Sequence, residues 1–294
     1  MRGKTVIVTG GNSGMGLATA IEMARRGAKV IMACRSRERG EAALSEARRL
    51  SGSDHIELML LDLASFASIR AFAEQFAAAY PVLDVLINNA GVVTLKRELT
   101  RDGYEMDLGV NHLGHFLLTD LLLERLHAAE QGRIVVVASG AYKIGKLYLD
   151  DHTLSRGFNP AKAYARSKLA NILFTRELAS RLYGTAITVN CLHPGAVGTS
   201  IGVNRETGFG RRILKLLSHV FLTPEQGAET AIYLATAPEL KQVSGEYFYR
   251  RQVKELTSRG QDRHTAGQLW NWSLEQTGVT EHRLMKNRAA DNNQ

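Results

Sequence analysis

Short runs of β-branched and aliphatic residues alternate along the chain with longer segments whose apolar positions recur every three or four residues. The runs occupy residues 5–9, 29–34, 55–61, 85–88, 133–139, 187–193 and 246–249, and each is short enough for a strand. Between them, residues 14–26, 37–50, 66–79, 103–126, 161–182 and 224–236 have helical spacing. In the third of these, Phe66, Ile69, Phe72, Ala73 and Phe76 mark one buried face, and Ser65 is placed to cap its start. Strand–helix alternation at this length predicts an α/β fold, a doubly wound parallel sheet of about seven strands with helices on both faces.

Nothing in the composition divides this pattern. Five prolines, no low-complexity block and no internal repeat predict one domain over residues 1–280, followed by a polar tail at 281–294 that is expected to fray. Of the 294 residues, 45% are apolar and 22% charged, the ordinary mix of a globular protein able to bury its own core. Cys34 and Cys191 lie far apart inside apolar runs and read as buried free thiols. No CxxC pair or metal-ligand cluster occurs, so no metal is expected.

The first strand follows directly on Met1-Arg2-Gly3-Lys4, and no run reaches about 18 uninterrupted apolar residues. The expectation is a cytoplasmic protein without an integral anchor. A net charge of +8 raises the question of nucleic acid, but the arginines are scattered among acidic residues and no exposed aromatics interleave with them. A solvated surface accounts for them.

Ligands of an open parallel sheet bind beyond the carboxyl ends of its strands. Six successive strand ends carry small or hydrogen-bonding residues here. After the first comes Thr9-Gly10-Gly11-Asn12-Ser13-Gly14-Met15-Gly16, opening a helix as in a Rossmann-type dinucleotide loop. Such a turn brings a pyrophosphate against backbone N–H groups at a helix N-terminus. Arg35 follows the second strand with Ser36 and Arg39 nearby, and no acidic residue occurs from Val30 to Arg37. A guanidinium there suits a 2′-phosphate, so NADP(H) is expected in preference to NAD(H). Asp62-Leu63 end the third strand, where Asp62 suits an adenine amino group or a capping turn. Asn88-Asn89-Ala90-Gly91, Ser139 and Pro194-Gly195 complete the rim.

Tyr164-Ala165-Arg166-Ser167-Lys168 places a phenol and an ammonium four residues apart on one helix face. A tyrosine ordinarily titrates at about 10. An ammonium close by can lower that by about one to three pH units, whereas burial raises it, so the lysine's field is required to dominate.

These motifs, in this order, resemble the short-chain dehydrogenase/reductase family over residues 3–278. Asn88–Gly91, the stretch Val110-Asn111-His112-Leu113-Gly114-His115-Phe116, residues 164–173, Gly245-Glu246-Tyr247-Phe248 and Leu269-Trp270 are similar to its retinol-dehydrogenase-like branch. The resemblance implies Tyr164 as general acid or base, Lys168 as the group that tunes it and holds the nicotinamide ribose, and Ser139 as donor to the substrate oxygen. It further implies Asn111 in a water relay to Lys168, and cofactor contacts at Gly10, Asn12, Ser13, Gly14, Met15, Gly16, Arg35, Asp62, Leu63, Asn89, Ala90, Gly91, Pro194, Gly195, Val197 and Thr199. The substrate would be a lipophilic aldehyde, ketone or retinoid-like carbonyl, or the matching alcohol. A dimer or tetramer through the helices at 103–126 and 161–182 would follow.

Two departures stand out. Ala138-Ser139 replaces the two serines frequent in the family, and the stretch Tyr142 to Pro160 is longer than in its shortest members, either walling the substrate pocket or lying on the surface. Residues 210–222 combine cations with an apolar stripe; a substrate lid over residues 196–222 is the favoured reading, and a membrane-surface helix the other. His112 and His115 fit packing or subunit contact better than metal ligation. The rival to an enzyme is a sensor or scaffold that binds NADP(H) without turnover. Loss of Asn111, Ser139, Tyr164 or Lys168 would favour it, and all four are present.

Overall fold

The computed structural model describes residues 1–195 and 222–280. The expected lid or surface helix at 210–222, the tail at 281–294 and the contacts at Val197 and Thr199 lie outside these, Leu222 excepted. Eight strands form one sheet among the described residues: β1 (Thr5–Thr9), β2 (Lys29–Cys34), β3 (Ile56–Leu60), β4 (Val85–Asn88), β5 (Gly132–Val137), β6 (Ile187–His193), β7 (Tyr247–Tyr249) and β8 (Gln252–Val253). Their order is β3-β2-β1-β4-β5-β6-β7-β8. All neighbours are parallel except β7 and β8, which form an antiparallel hairpin. The chain reverses direction across the sheet between β1 and β4, the place where such folds open a crevice.

The central strands are buried on both sides, with alternate residues supplying two cores. Ile7, Ile31, Leu86, Ile134 and Val136 face Phe72 of α3 (Phe66–Ala79), Phe116 and Leu173. Val6, Val8, Val30, Met32, Val85 and Ile87 face Met23 of α1 (Gly14–Arg25), Ala47 of α2 (Arg37–Ser51) and Leu234. The period-two alternation of a strand sends successive side chains to opposite faces, so one apolar run serves both layers. Ser65 caps α3 as expected, accepting from the Ser68 N–H. Cys34 and Cys191 are buried free thiols.

Four differences from the sequence-based expectation have physical causes. The sheet has an eighth strand, formed because Arg250 and Arg251 both take positive φ in a tight β7–β8 turn. Second, the helix expected at 103–126 starts later, since Gly103 is a left-handed turn residue and Glu105 caps the start. That helix, α4 (residues 106–127), contains a π-helical turn at Gly109–Leu113. Ser139 lies beyond β5 rather than within it, and caps the short 3-10 turn Gly140–Ile144 by accepting from the Ala141 N–H. Finally, α8 (Arg263–Thr277) was not foreseen. The remaining helices are α5 (Pro160–Arg181), α6 (Pro224–Thr236) and the short α7 (Ser258–Gln261). Among the described residues no helix is long and apolar enough to cross a membrane.

Helix α8 packs across one face of α4 and α5, the helices through which the family resemblance implies subunit contact. Trp270 meets Phe116 edge-on at 5.0 Å and stacks over Phe174 at 6.2 Å, while Arg181 lies 4.5 Å above its ring. His112 Nε2 shares a 2.9 Å hydrogen bond with Ser273 Oγ, making this histidine a packing residue. Truncating the buried indole leaves a cavity against both helices. Trp270→Ala is expected to lower stability by about 3–5 kcal/mol in a urea titration; a loss below about 1 kcal/mol would show that α8 is not an integral layer.

Candidate active site

The glycine loop sits where three backbones converge. A Cβ on Gly16 would lie 2.3 Å from the Gly10 carbonyl oxygen and 2.5 Å from Asn89 Nδ2, so no other residue fits without moving backbone. Gly10 itself takes φ +66. Thr9 fastens this loop to the turn after β4: its Oγ1 accepts from the Asn89 and Ala90 N–H groups, each at 2.9 Å, and Asn89 Nδ2 donates to the Thr9 carbonyl at 2.7 Å. Asn89 is thus a brace beneath the loop.

Gly10, Asn12, Ser13, Arg35, Asp62, Leu63, Ala90 and Gly91 line one cleft, together with Ser36 and Arg39. Gly14, Met15 and Gly16 form the first turn of α1 behind it. Arg35 and Arg39 are exposed, and among the described residues neither is paired with a carboxylate. Ser36 caps α2 by accepting from the Arg39 N–H, which places the two arginines on either side of a helix start. Asp62 is both a turn residue and a cleft residue: Oδ1 accepts from the Ala64 N–H at 3.1 Å, and Oδ2 stands 3.8 Å from Arg101. A larger concavity lies between α1 and α6, lined by charged residues together with Ile232 and Tyr233, and it contains none of these groups.

The second cluster meets the cleft at Gly91. A Cβ there would lie 3.4 Å from Asn111 Oδ1 and 3.6 Å from Lys168 Nζ. Asn111, carried by the π turn, accepts from Val92 N–H at 2.8 Å and donates to Val92 O at 3.0 Å and Ser167 Oγ at 2.9 Å. Lys168 Nζ donates to Val137 O at 3.0 Å and lies 5.5 Å from the centre of the Tyr164 ring. Ser139 lies near enough to Tyr164 for its side chain to favour the phenolate. All four residues named from sequence therefore converge. Pro194 and Gly195 follow β6, where His193 lies beside Gly140 and stacks on Tyr249.

The charges correct one expectation. Burial holds the Tyr164 phenol above its ordinary range, against the pull of the Ser139 side chain, and Asp107 pushes it further up. The lysine's field does not dominate. Burial also pulls the Lys168 ammonium down to about 8, with Asp107 opposing. His115 is buried and held down to about 4, chiefly by that burial. Its Nδ1 lies 3.1 Å from the Asn111 carbonyl and its Nε2 2.9 Å from Thr9 Oγ1, so the neutral ring links the two motifs.

Sequence reasoning missed two further groups. Arg166, between Tyr164 and Lys168, forms a wholly buried 2.9 Å ion pair with Glu105 and donates to the carbonyls of Asp151 and His152. Glu105 also caps α4 through the Asp107 and Leu108 N–H groups. The stretch between Tyr142 and Pro160 is consequently anchored to the site at points: Tyr142 is buried and His152 packs on Tyr104 and Trp272, while Lys143, Ile144, Lys146 and residues 155–157 are exposed. The sole sequence signal was Arg166 itself, a charge on the buried side of a helix.

The groups present fit a nicotinamide dinucleotide. Gly91 leaves room where a side chain would approach Lys168, guanidinium groups unpaired among the described residues flank the far end, and a buried ammonium marks the near end.

A family model for short chain dehydrogenases matches residues 4–208. Human retinol dehydrogenase 14 is 47% identical over 95% of this chain and 88% of its own length. Mouse retinol dehydrogenase 12 is 45% identical over 94% of this chain and 87% of its own. Among solved structures, an uncharacterised protein from Mycobacterium paratuberculosis superposes with a TM-score of 0.76 at 36% identity, covering 95% of this chain and 94% of that one. The actinorhodin polyketide ketoreductase solved with NADPH gives 0.64 at 27% identity, covering 83% and 94%. With a match of this extent and the loop, turn and tyrosine–lysine helix in their expected places, the chain belongs to the short-chain dehydrogenase family, in its retinol-dehydrogenase-like branch.

Proposed function

We propose that the chain is an NADP(H)-dependent oxidoreductase that reduces a lipophilic aldehyde, ketone or retinoid-like carbonyl, and runs in reverse on the alcohol. The convergence of Asn111, Ser139, Tyr164 and Lys168 at the Gly91 end of the cleft carries this reading. A bound nicotinamide cofactor supplies the hydride. Ser139 donates to the substrate oxygen as negative charge develops, and Tyr164 delivers the proton to that oxygen. The raised phenol suits the reductive direction, because a group that stays protonated at neutral pH is ready as an acid. Lys168 places its charge beside both the phenol and the cofactor ribose. Arg35 and Arg39 support the NADP(H) preference, since a guanidinium attracts a 2′-phosphate that an acidic residue would repel. The retinol dehydrogenases among the relatives support a lipophilic substrate. Assembly into a dimer or tetramer, part of the same proposal, has to use surface other than the face of α4 and α5 under α8.

Tyr164→Phe is expected to lower kcat for carbonyl reduction by about a thousandfold or more, with NADPH affinity by fluorescence titration little changed. Near-normal turnover over a panel of aldehydes, ketones and retinal would refute Tyr164 as the acid. Arg35→Asp is expected to shift the ratio of kcat/KM from NADPH toward NADH by about tenfold or more; an unchanged ratio would place 2′-phosphate recognition elsewhere. Reduction needs both a protonated Tyr164 and a charged Lys168. Its kcat/KM is therefore expected to fall as pH rises through about 8, the value to which burial brings Lys168. A profile flat to pH ~10, the ordinary lysine range, would contradict that assignment.

A further inference from the structure

Asp107 is a buried carboxylate that the proposed reaction leaves unused. It lies near the start of α4, one helical turn before Asn111, with 0% of its surface exposed. Its Oδ1 accepts two hydrogen bonds from Thr94, one from the backbone N–H and one from Oγ1, each at 3.0 Å. Asn111 holds Val92 by accepting from its N–H and donating to its carbonyl. Two side chains of one helix thus clamp the segment Gly91–Thr94, whose first residues wall the cofactor cleft and touch Lys168.

The other oxygen differs. Asp107 Oδ2 is buried and has no hydrogen-bond partner. A carboxylate kept only to hold a loop gains nothing from an orphaned oxygen, because burying an unpaired polar atom costs about 1–3 kcal/mol. Lys168 is the cation from α5 that acts on Asp107 favourably, Glu105 opposes it from the same helix start, and Arg166 and Tyr164 feel its charge from α5. Thr94 is its polar neighbour from the loop. We propose, on the reading of Tyr164 and Lys168 given above, that Asp107 is a positioning residue of the proton-handling centre, pinning the Gly91–Thr94 wall and setting the charge of Lys168 through its unpaired oxygen.

The sign of the effect follows from the charges. Burial and Glu105 lift Asp107 to about 7, while the Thr94 bonds and Lys168 hold it down. Ionised Asp107 favours the Lys168 ammonium and the neutral Tyr164 phenol, the two states that carbonyl reduction uses. Removing the negative charge lets Lys168 deprotonate at lower pH.

The test is a carboxyl titration of the full chain by NMR with 13C-labelled aspartate, the Asp107 resonance being the one absent from both Asp107→Glu and Asp107→Asn. A midpoint near neutrality that rises in Lys168→Met is expected. A midpoint at the ordinary carboxylate value of about 4, or one indifferent to Lys168→Met, would overturn the proposal. Neither outcome depends on turnover, so an inactive wild-type protein counts against the proposed function alone. In an active protein, Asp107→Asn moves the falling limb of kcat/KM for reduction to lower pH, and Asp107→Glu restores it. Superimposable profiles with a lowered melting temperature would leave Asp107 a purely structural residue and refute the coupling. Should Asp107→Asn fail to fold, Asp107→Glu supplies the assignment and Lys168→Met still decides.

Discussion

The hydroxyl of Thr9 joins segments that lie 80 and 106 residues away along the chain. It accepts from the turn after β4 and donates to His115, whose other nitrogen holds the carbonyl of Asn111. The glycine loop, the Asn-Asn-Ala-Gly turn and the π turn thereby become one hydrogen-bonded unit at the point where the sheet reverses. Burial keeps His115 neutral, so the unit is a fixed strut rather than a switch near neutral pH. Gly91 projects from it toward Lys168, and Asn111 extends it to Ser167 on α5. Asn111 hangs from that strut and carries it to the helix that bears Tyr164 and Lys168.

Burial governs the charges hung there. It lifts the phenol of Tyr164 and lowers the ammonium of Lys168, driving the two titrations apart. It also encloses the Glu105–Arg166 pair, both members of which are almost inaccessible to water. Such a pair contributes little net stability, because desolvating two ions offsets most of their attraction. Its effect here is geometric. Arg166 stands two residues from Tyr164 and Glu105 caps the helix that carries Asn111, so the pair sets how far apart those helices begin.

The order of strands and helices was legible because each central strand is buried on both faces, and α1, α2, α3 and α6 each on one. The four site residues were named through the family resemblance, for Ser139 alone follows a strand, while Asn111, Tyr164 and Lys168 lie on helices. What escaped has physical reasons. The strand β8 is two exposed residues after an arginine pair at positive φ, where the usual Gly or Asn signal is missing. The π turn at Gly109–Leu113 depends on close approaches, Gly109 to Thr100 and Gly114 to Leu63, that no local pattern records. Glu105 and Asp107 fall at a helix start, where acidic residues are ordinary because the dipole favours them. Only the packing of α5 and the Thr94 loop over them turns them into buried charges. The sign of the Tyr164 perturbation was open for the same reason: the competition between burial and a neighbouring ammonium is decided by tertiary structure.

Helix α8 gives the site its outer support. Trp270 bears on Phe116 of α4 and Phe174 of α5 at once, and Ser273 bonds His112, the neighbour of Asn111. From inside, the sheet fixes the same two helices, and at one end the Glu105–Arg166 pair fixes them again. Asn111 and Tyr164 are therefore held at a set separation by three contacts on different sides. Displacing a reacting group by about 1 Å can reduce rate on the order of a hundredfold. A C-terminal helix that touches none of the four site residues thus belongs to the geometry on which their chemistry depends.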